Sequence, residues 1–151
     1  MVPTLEPRTS PSITRAASSL SMLIVEDDPV VLRSLELAVQ FLGYTVNTAR
    51  DGIVGMRKFR RCKPTIVLTD LVMPNMDGIE FVRAIRREKS DALIVAMSGG
   101  SIRRPDYLSM VLKLGADAAI EKPFAAEALH DVVTSLLHPE QRLAPVRTTI
   151  I

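Results

Sequence analysis

The sequence predicts an α/β protein with a doubly wound, five-stranded parallel sheet, and three observations carry that expectation. From Met22 onward short apolar runs alternate with segments of helical period, a βαβα rhythm that calls for a parallel sheet covered on both faces. The runs Met22 to Val25, Thr65 to Leu68 and Ala92 to Met97 read as strands buried on both sides. Tyr44-Thr45-Val46-Asn47-Thr48 mixes in polar groups and belongs at a sheet edge. The order 2-1-3-4-5 satisfies all three, with Ala118 to Ile120 as the fifth strand at the other edge. Right-handed crossovers then put helices one and five on one face and helices two, three and four on the other.

The first helix is announced by Asp28 as N-cap and Pro29 at the first helical position. Val31, Leu35, Ala38, Val39 and Leu42 form its apolar stripe, and Gly43 closes it. The second runs from about Asp51 to Arg61 and the third from Gly78 to about Lys89. Asp77 can cap the third, with Glu80 reaching back as a capping box. The fourth covers Asp106 to Leu114 with Gly115 as its stop, and Leu129, Val132, Val133, Leu136 and Leu137 mark the fifth.

This framework occupies residues 21–138 of 151, one domain with a hydrophobic fraction of 47%, enough for a core. Residues 1–20 carry three prolines and many Ser and Thr without apolar period, which predicts a flexible N-terminal tail; residues 139–151 predict a flexible C-terminal one. The formal net charge of +2 does not by itself mark a nucleic-acid binder. Arg57, Lys58, Arg60, Arg61 and Lys63, with Arg83, Arg86, Arg87 and Lys89, read as a solvated basic side. The single cysteine, Cys62, excludes an intramolecular disulfide and suits a reducing compartment, so the expected location is the cytoplasm. No apolar run approaches the roughly 20 residues that cross a bilayer.

Polar groups finish four of the strands: Glu26-Asp27-Asp28 the first, Asp70 the third, Ser98 the fourth, Lys122 the fifth. In this topology ligands bind beyond the carboxyl ends at the switch between strands one and three, where Asp27 and Asp70 meet. Carboxylates converging there repel unless a cation neutralises them, and all-oxygen donors select a hard ion such as Mg²⁺. A carboxylate can accept a phosphoryl group, which needs in-line access and cations on the transferred oxygens. Lys122 and a metal supply the charge, and the Ser98 hydroxyl a hydrogen bond. Taken singly, each residue also has a structural reading: Asp27 or Asp28 as helix cap, Ser98 as a turn residue, Lys122 as solvated surface.

Glu26-Asp27-Asp28, Asp70 with Met73-Pro74-Asn75-Met76-Asp77-Gly78, Ser98, and Lys122-Pro123-Phe124 resemble, in order and spacing, the signature of two-component response-regulator receiver domains. The likeness spans about Ser21 to Leu137 and implies a flavodoxin-like (βα)5 fold. It implies Asp70 as the phosphoacceptor, with Lys122 and Ser98 contacting the phosphoryl group. Mg²⁺ would be held by Asp27, Asp70 and the Val72 backbone carbonyl, with Glu26 acting through water, and the Lys122-Pro123 peptide would be cis. The implied donor is a histidine kinase or histidine phosphotransfer protein, and the implied output is docking to a downstream protein, through the fourth helix, fifth strand and fifth helix as in its relatives.

Two departures qualify the likeness. Ala119 stands where the family often has a switching aromatic, with Tyr107 as a substitute only by conjecture. Val72 and Gly100, two residues after Asp70 and Ser98, offer no side chain to orient an attacking water, so the chain is expected to lose its phosphoryl group slowly and to be no enzyme beyond self-phosphorylation and that slow autodephosphorylation. Residues 139–151 are too short for a DNA-binding or catalytic domain, so a stand-alone receiver is expected, monomer or homodimer. The competing readings are an aspartyl-phosphate phosphatase or phosphotransferase, disfavoured by Val72 where a second acid is usual, and a non-phosphorylated scaffold.

Overall fold

The computed structural model describes residues 20–99 and 105–141. The strands are β1 (Ser21–Val25), β2 (Thr45–Ala49), β3 (Ile66–Asp70), β4 (Leu93–Ser98) and β5 (Ala118–Glu121), all parallel in the order β2-β1-β3-β4-β5. Between and after them run α1 (Pro29–Phe41), α2 (Gly52–Cys62), α3 (Gly78–Arg87), α4 (Pro105–Lys113) and α5 (Ala126–Leu137), followed by a 3-10 turn at Pro139–Gln141. The expected topology is the observed one.

Alternation along the strands splits the core in two. Leu23, Val25, Val67, Ile94 and Ala96 face α2, α3 and α4, where Phe59, Phe81 and Val111 are buried. Met22, Ile24, Leu68, Met97 and Ile120 face α1 and α5, where Leu32, Val39, Leu129 and Val133 are buried. The helices divide between the faces as right-handed crossovers require.

Carboxylates start three helices. Asp28 accepts from the N–H groups of Val30 and Val31 at 2.8 and 3.2 Å, Asp51 from Val54 at 2.8 Å, and Asp77 from Glu80 at 2.8 Å. Among the bonds of the described residues only this half of the Asp77/Glu80 capping box is formed. Gly43 and Gly115 take φ of 97° and 125° just past α1 and α4, the left-handed stops their positions predict.

Several boundaries move by a residue or two. β2 begins at Thr45, because Tyr44 is buried in the α1/α5 layer and its hydroxyl pairs with His130 Nδ1 at 2.8 Å. β3 runs through Asp70, so the acid belongs to the strand. α3 stops at Arg87, and Lys89 turns left-handed at φ 55°. Residues 1–19, Gly100, the side chain of Tyr107 and residues 142–151 lie outside the described residues.

The basic side is less open than the sequence suggests. Arg60 pairs with Glu88 at 2.6 Å, and Lys58 donates to the Thr48 carbonyl. Arg86 leaves that side altogether: Nε donates to Gly115 O at 2.8 Å, Nη1 to Ser90 O and Ala92 O at 3.0 and 2.8 Å, and Nη2 to Asp117 at 2.8 Å. One guanidinium thus ties the entry of β4 to the entry of β5, and Asp117 also accepts the Ile94 N–H at 2.8 Å.

Candidate functional site

Residues two apart on a strand share a face, and that rule assembles the site. Ile24, Leu68 and Ile120 all point into the α1/α5 layer, and two residues on from each stand Glu26, Asp70 and Lys122. The three strand ends therefore deliver two acids and an ammonium to one place. Lys122 Nζ lies 2.9 Å from Glu26 Oε2 and 3.1 Å from Asp70 Oδ2. Asp70 Oδ1 accepts the Leu71 N–H at 2.7 Å and the Val72 N–H at 3.4 Å, and Glu26 Oε1 accepts the Asp28 N–H at 3.1 Å. Glu26 and Asp70 are buried, at 1% and 8% exposure, whereas Asp27 is half-buried.

Asp28, the third acid of the run, is exposed and serves α1 as its cap. Asp77 likewise stays with α3. The loop between β3 and α3 folds back so that Gly78 N–H donates to Leu71 O at 2.9 Å. A Cβ at Gly78 would lie 2.1 Å from Asp70 O and 2.6 Å from Leu71 Cα, so this position admits hydrogen alone. The sequence marked Gly78 as the start of a helix and the end of the signature run after Asp70; its contact with the Asp70 backbone emerges from the fold.

Ser98 continues the register of Ala96 and so starts on the opposite face of the sheet from Asp70. It is buried, and its carbonyl accepts the Lys122 N–H at 2.6 Å, which joins the ends of β4 and β5. Ala119 is paired with Ala96 and packs on that same face, so small side chains neighbour Ser98 where an aromatic was absent from the sequence. The Lys122-Pro123 peptide is cis, as the resemblance implied.

Burial pushes the Glu26 carboxyl above its usual range; the Lys122 ammonium and the Asp28 N–H offset part of this, and the charge of Asp70 adds to it. Burial alone would lower Lys122, but its bonds to Glu26 and the field of Asp70 outweigh that and raise it. One ammonium thus serves two acids. One carboxylate oxygen from each of Glu26, Asp27 and Asp70 lies within 4.8 Å of the others, a hard, all-oxygen donor set that fits a divalent cation such as Mg²⁺. Its charge would relieve the repulsion and neutralise a phosphoryl oxygen placed there.

A pH dependence follows. Glu26 binds its proton more tightly in the folded than in the unfolded chain, so that contribution to stability is complete below pH 4.5 and is lost as pH rises through the raised folded value. A cation that needs the ionised acid pulls the other way. Stabilisation by Mg²⁺ should therefore grow as pH rises above 4.5 through the raised folded value in urea titrations; a flat dependence would remove Glu26 from the metal's surroundings.

Comparison with known proteins places this geometry. Residues 22–134 match the response regulator receiver domain. The chain is 35% identical over 115 residues to the transcriptional regulatory protein CseB of Streptomyces coelicolor, covering 75% of this chain and 47% of that protein. It is 34% identical over 121 residues to the response regulator MprA of Mycobacterium ulcerans, covering 79% and 50%. The chain spans about half the length of the curated relatives it matches. Among solved structures, the chemotaxis response regulator CheY4 of Vibrio cholerae superposes with a TM-score of 0.72 at 26% identity, over 79% of this chain and 99% of that one. A CheY-like receiver domain protein from Methanospirillum hungatei gives 0.74 at 25%, over 84% and 100%. Among the described residues no helix is long and apolar enough to cross a membrane. With the strand order, the acid cluster and the match over most of its length in agreement, the chain belongs to the receiver domains of two-component response regulators.

Proposed function

We propose that Asp70 accepts a phosphoryl group from a histidine kinase or histidine phosphotransfer protein in a Mg²⁺-dependent reaction, and that the phosphorylated chain signals by docking to a downstream protein. The observation that carries this reading is the junction at Lys122, whose ammonium lies within 3.1 Å of both the Asp70 and Glu26 carboxylates beside the donor set for a divalent cation. An Asp70 oxygen forms a bond to phosphorus as the donor's phosphorus–nitrogen bond breaks, and the electron pair leaves on the imidazole, which takes a proton from solvent. Lys122 neutralises charge on the transferred group, and the backbone N–H groups of Leu71 and Val72 hold the carboxylate in position.

The added charge of roughly −1.5 to −2 and the new acceptor oxygens draw the Ser98 hydroxyl round from its own face of the sheet. That turn alters the surface of α4, β5 and α5, the output face in this reading. The chain turns over no other substrate and loses its phosphoryl group slowly, because the exposed Val72 offers no group to orient water. The cytoplasm, where ATP feeds the donor, is the corresponding location.

Intact mass after incubation with Mg²⁺ and a small acyl phosphate tests the reading. The wild type should gain one phosphoryl group that a chelator prevents, and Asp70→Asn should gain none. Label that persists after donor removal without a phosphatase supports slow hydrolysis; rapid loss contradicts it.

A further inference from the structure

The net charge of +2 hides a division within the chain. Residues 50–99, which run through α2 and α3, hold ten basic and six acidic side chains, whereas the rest of the described chain, residues 20–49 and 105–141, holds three basic and ten acidic ones. Three of those ten basic groups are engaged within the fold: Arg60 by Glu88, Lys58 by the Thr48 carbonyl and Arg86 by the entries of β4 and β5. Arg57, Arg61, Lys63, Arg83, Arg87 and Lys89 are exposed and make no ion pair among the described residues. The unpaired acids of the same side, Glu80 and Asp91, stand at its two ends.

α2 and α3 lie side by side, because Phe81 covers Gly55 and Arg60 reaches Glu88. These contacts join residues 26 and 28 positions apart, which sets Arg57 level with Arg83 and Arg61 level with Arg87. On each helix the two arginines are four residues, about 6 Å, apart, and packed helix axes lie about 8–10 Å from each other. The four guanidinium groups therefore leave the surface in two short rows. Like charges four residues apart weaken a helix. Arg61 and Arg87, in the last turns, offset that by facing the negative helix ends; Arg57 and Arg83 stand earlier and do not. An anion laid across both rows removes the repulsion.

What covers this face follows from what it lacks. Ile53, 49% exposed beside an open cavity of about 570 Å³ shared with Arg57, Arg60 and Arg61, is the one large apolar side chain that α2 and α3 expose. A protein partner draws its affinity from a dehydrated apolar or aromatic centre, and a bilayer surface takes up apolar side chains; one isoleucine supplies neither. A single nucleic-acid strand asks for aromatic platforms, and Phe59 and Phe81 are buried. The phosphates of a duplex need cations alone, and arginine meets each through two parallel bonds.

We infer that the outer face of α2 and α3 is a docking surface for duplex DNA, held through its phosphates without choice of sequence, with Arg57, Arg61, Arg83 and Arg87 as the principal contacts. The acids elsewhere repel the polyanion and turn this face toward it. The surface needs no phosphoryl group on Asp70.

Fluorescence anisotropy of labelled duplexes of about 20 base pairs and unrelated sequence tests this on the full chain. Four contacts give log K a slope against log salt of about −3.6, a loss of about 150-fold between 50 and 200 mM, from a dissociation constant on the order of 1 µM at the lower salt. Arg57→Gln/Arg83→Gln, both exposed sites outside the core, should weaken binding at 50 mM by about tenfold or more and reduce the slope to about −1.8. Arg33→Gln/Lys113→Gln removes the same charge from exposed sites on α1 and α4 and should change binding by less than about twofold; urea midpoints show that both variants are folded. No binding at 50 mM, or equal losses in the two double variants, would overturn the surface. So would a single strand, vesicles of phosphatidylglycerol or polyglutamate binding more tightly than the duplex, since each would assign the face to a different partner.

Discussion

Replacing Lys122 by methionine is expected to destabilise the metal-free protein by about 2–3 kcal/mol and to slow phosphoryl uptake at Asp70. Methionine keeps an apolar stem against the same walls, so the loss comes from charge rather than volume. Glu26 is fully buried and Asp70 nearly so, and both lose their shared ammonium. Breaking a buried ion pair from one side commonly costs about 3–5 kcal/mol; the lower figure allows for the 24% exposure of the Lys122 side chain. The cost should shrink as pH falls, because Glu26, already raised by burial, takes up a proton in place of the missing charge. Mg²⁺ at a hundred times its dissociation constant should restore about 2.7 kcal/mol. Urea denaturation at two pH values, with and without Mg²⁺, reads all three effects; a loss indifferent to both pH and metal would mean that Lys122 acts through packing.

Gly78→Ala should be the more damaging change despite adding one methyl group. The clashes are with the Asp70 carbonyl and the Leu71 Cα, backbone atoms that cannot rotate aside, so the start of α3 must separate from the end of β3. Such overpacking costs about 3 kcal/mol. It also displaces Asp70, the proposed acceptor, so the surviving folded fraction should label slowly even in saturating Mg²⁺. Gly43→Ala makes the contrast: nothing lies within 4 Å of its Cβ, and only the φ of 97° is strained, which costs about 1 kcal/mol. Equal behaviour of the two variants in denaturation and labelling would refute the close approach at Gly78.

The sequence made the site legible because strand ends are easy to read and their spacing is rigid. An apolar run ending in Glu26, Asp70 or Lys122 states which element each residue finishes, and the order of the strands does the rest. The parity that separates Ser98 from Asp70 was not read from the sequence, because it depends on β3 extending through Asp70 itself. Arg86 was misread as a surface charge because its partners are carbonyls and an acid 4 to 31 residues away, and a carbonyl leaves no mark in a sequence. The exposure of Phe41 escaped notice for the opposite reason. Apolar residues on α1 satisfy helical period on either face, and only burial distinguishes the side that meets the sheet from the side that does not.

The bond from Lys122 to Glu26 spans 96 residues and that to Asp70 spans 52. During synthesis the chain therefore carries its buried acids through most of its length before the compensating ammonium leaves the ribosome. Until then the acids oppose their own burial, and a nascent chain that ends before β5 gains little by closing the sheet early. The assembled cluster of Glu26, Asp70 and Lys122 thus arrives only with completion of the fold.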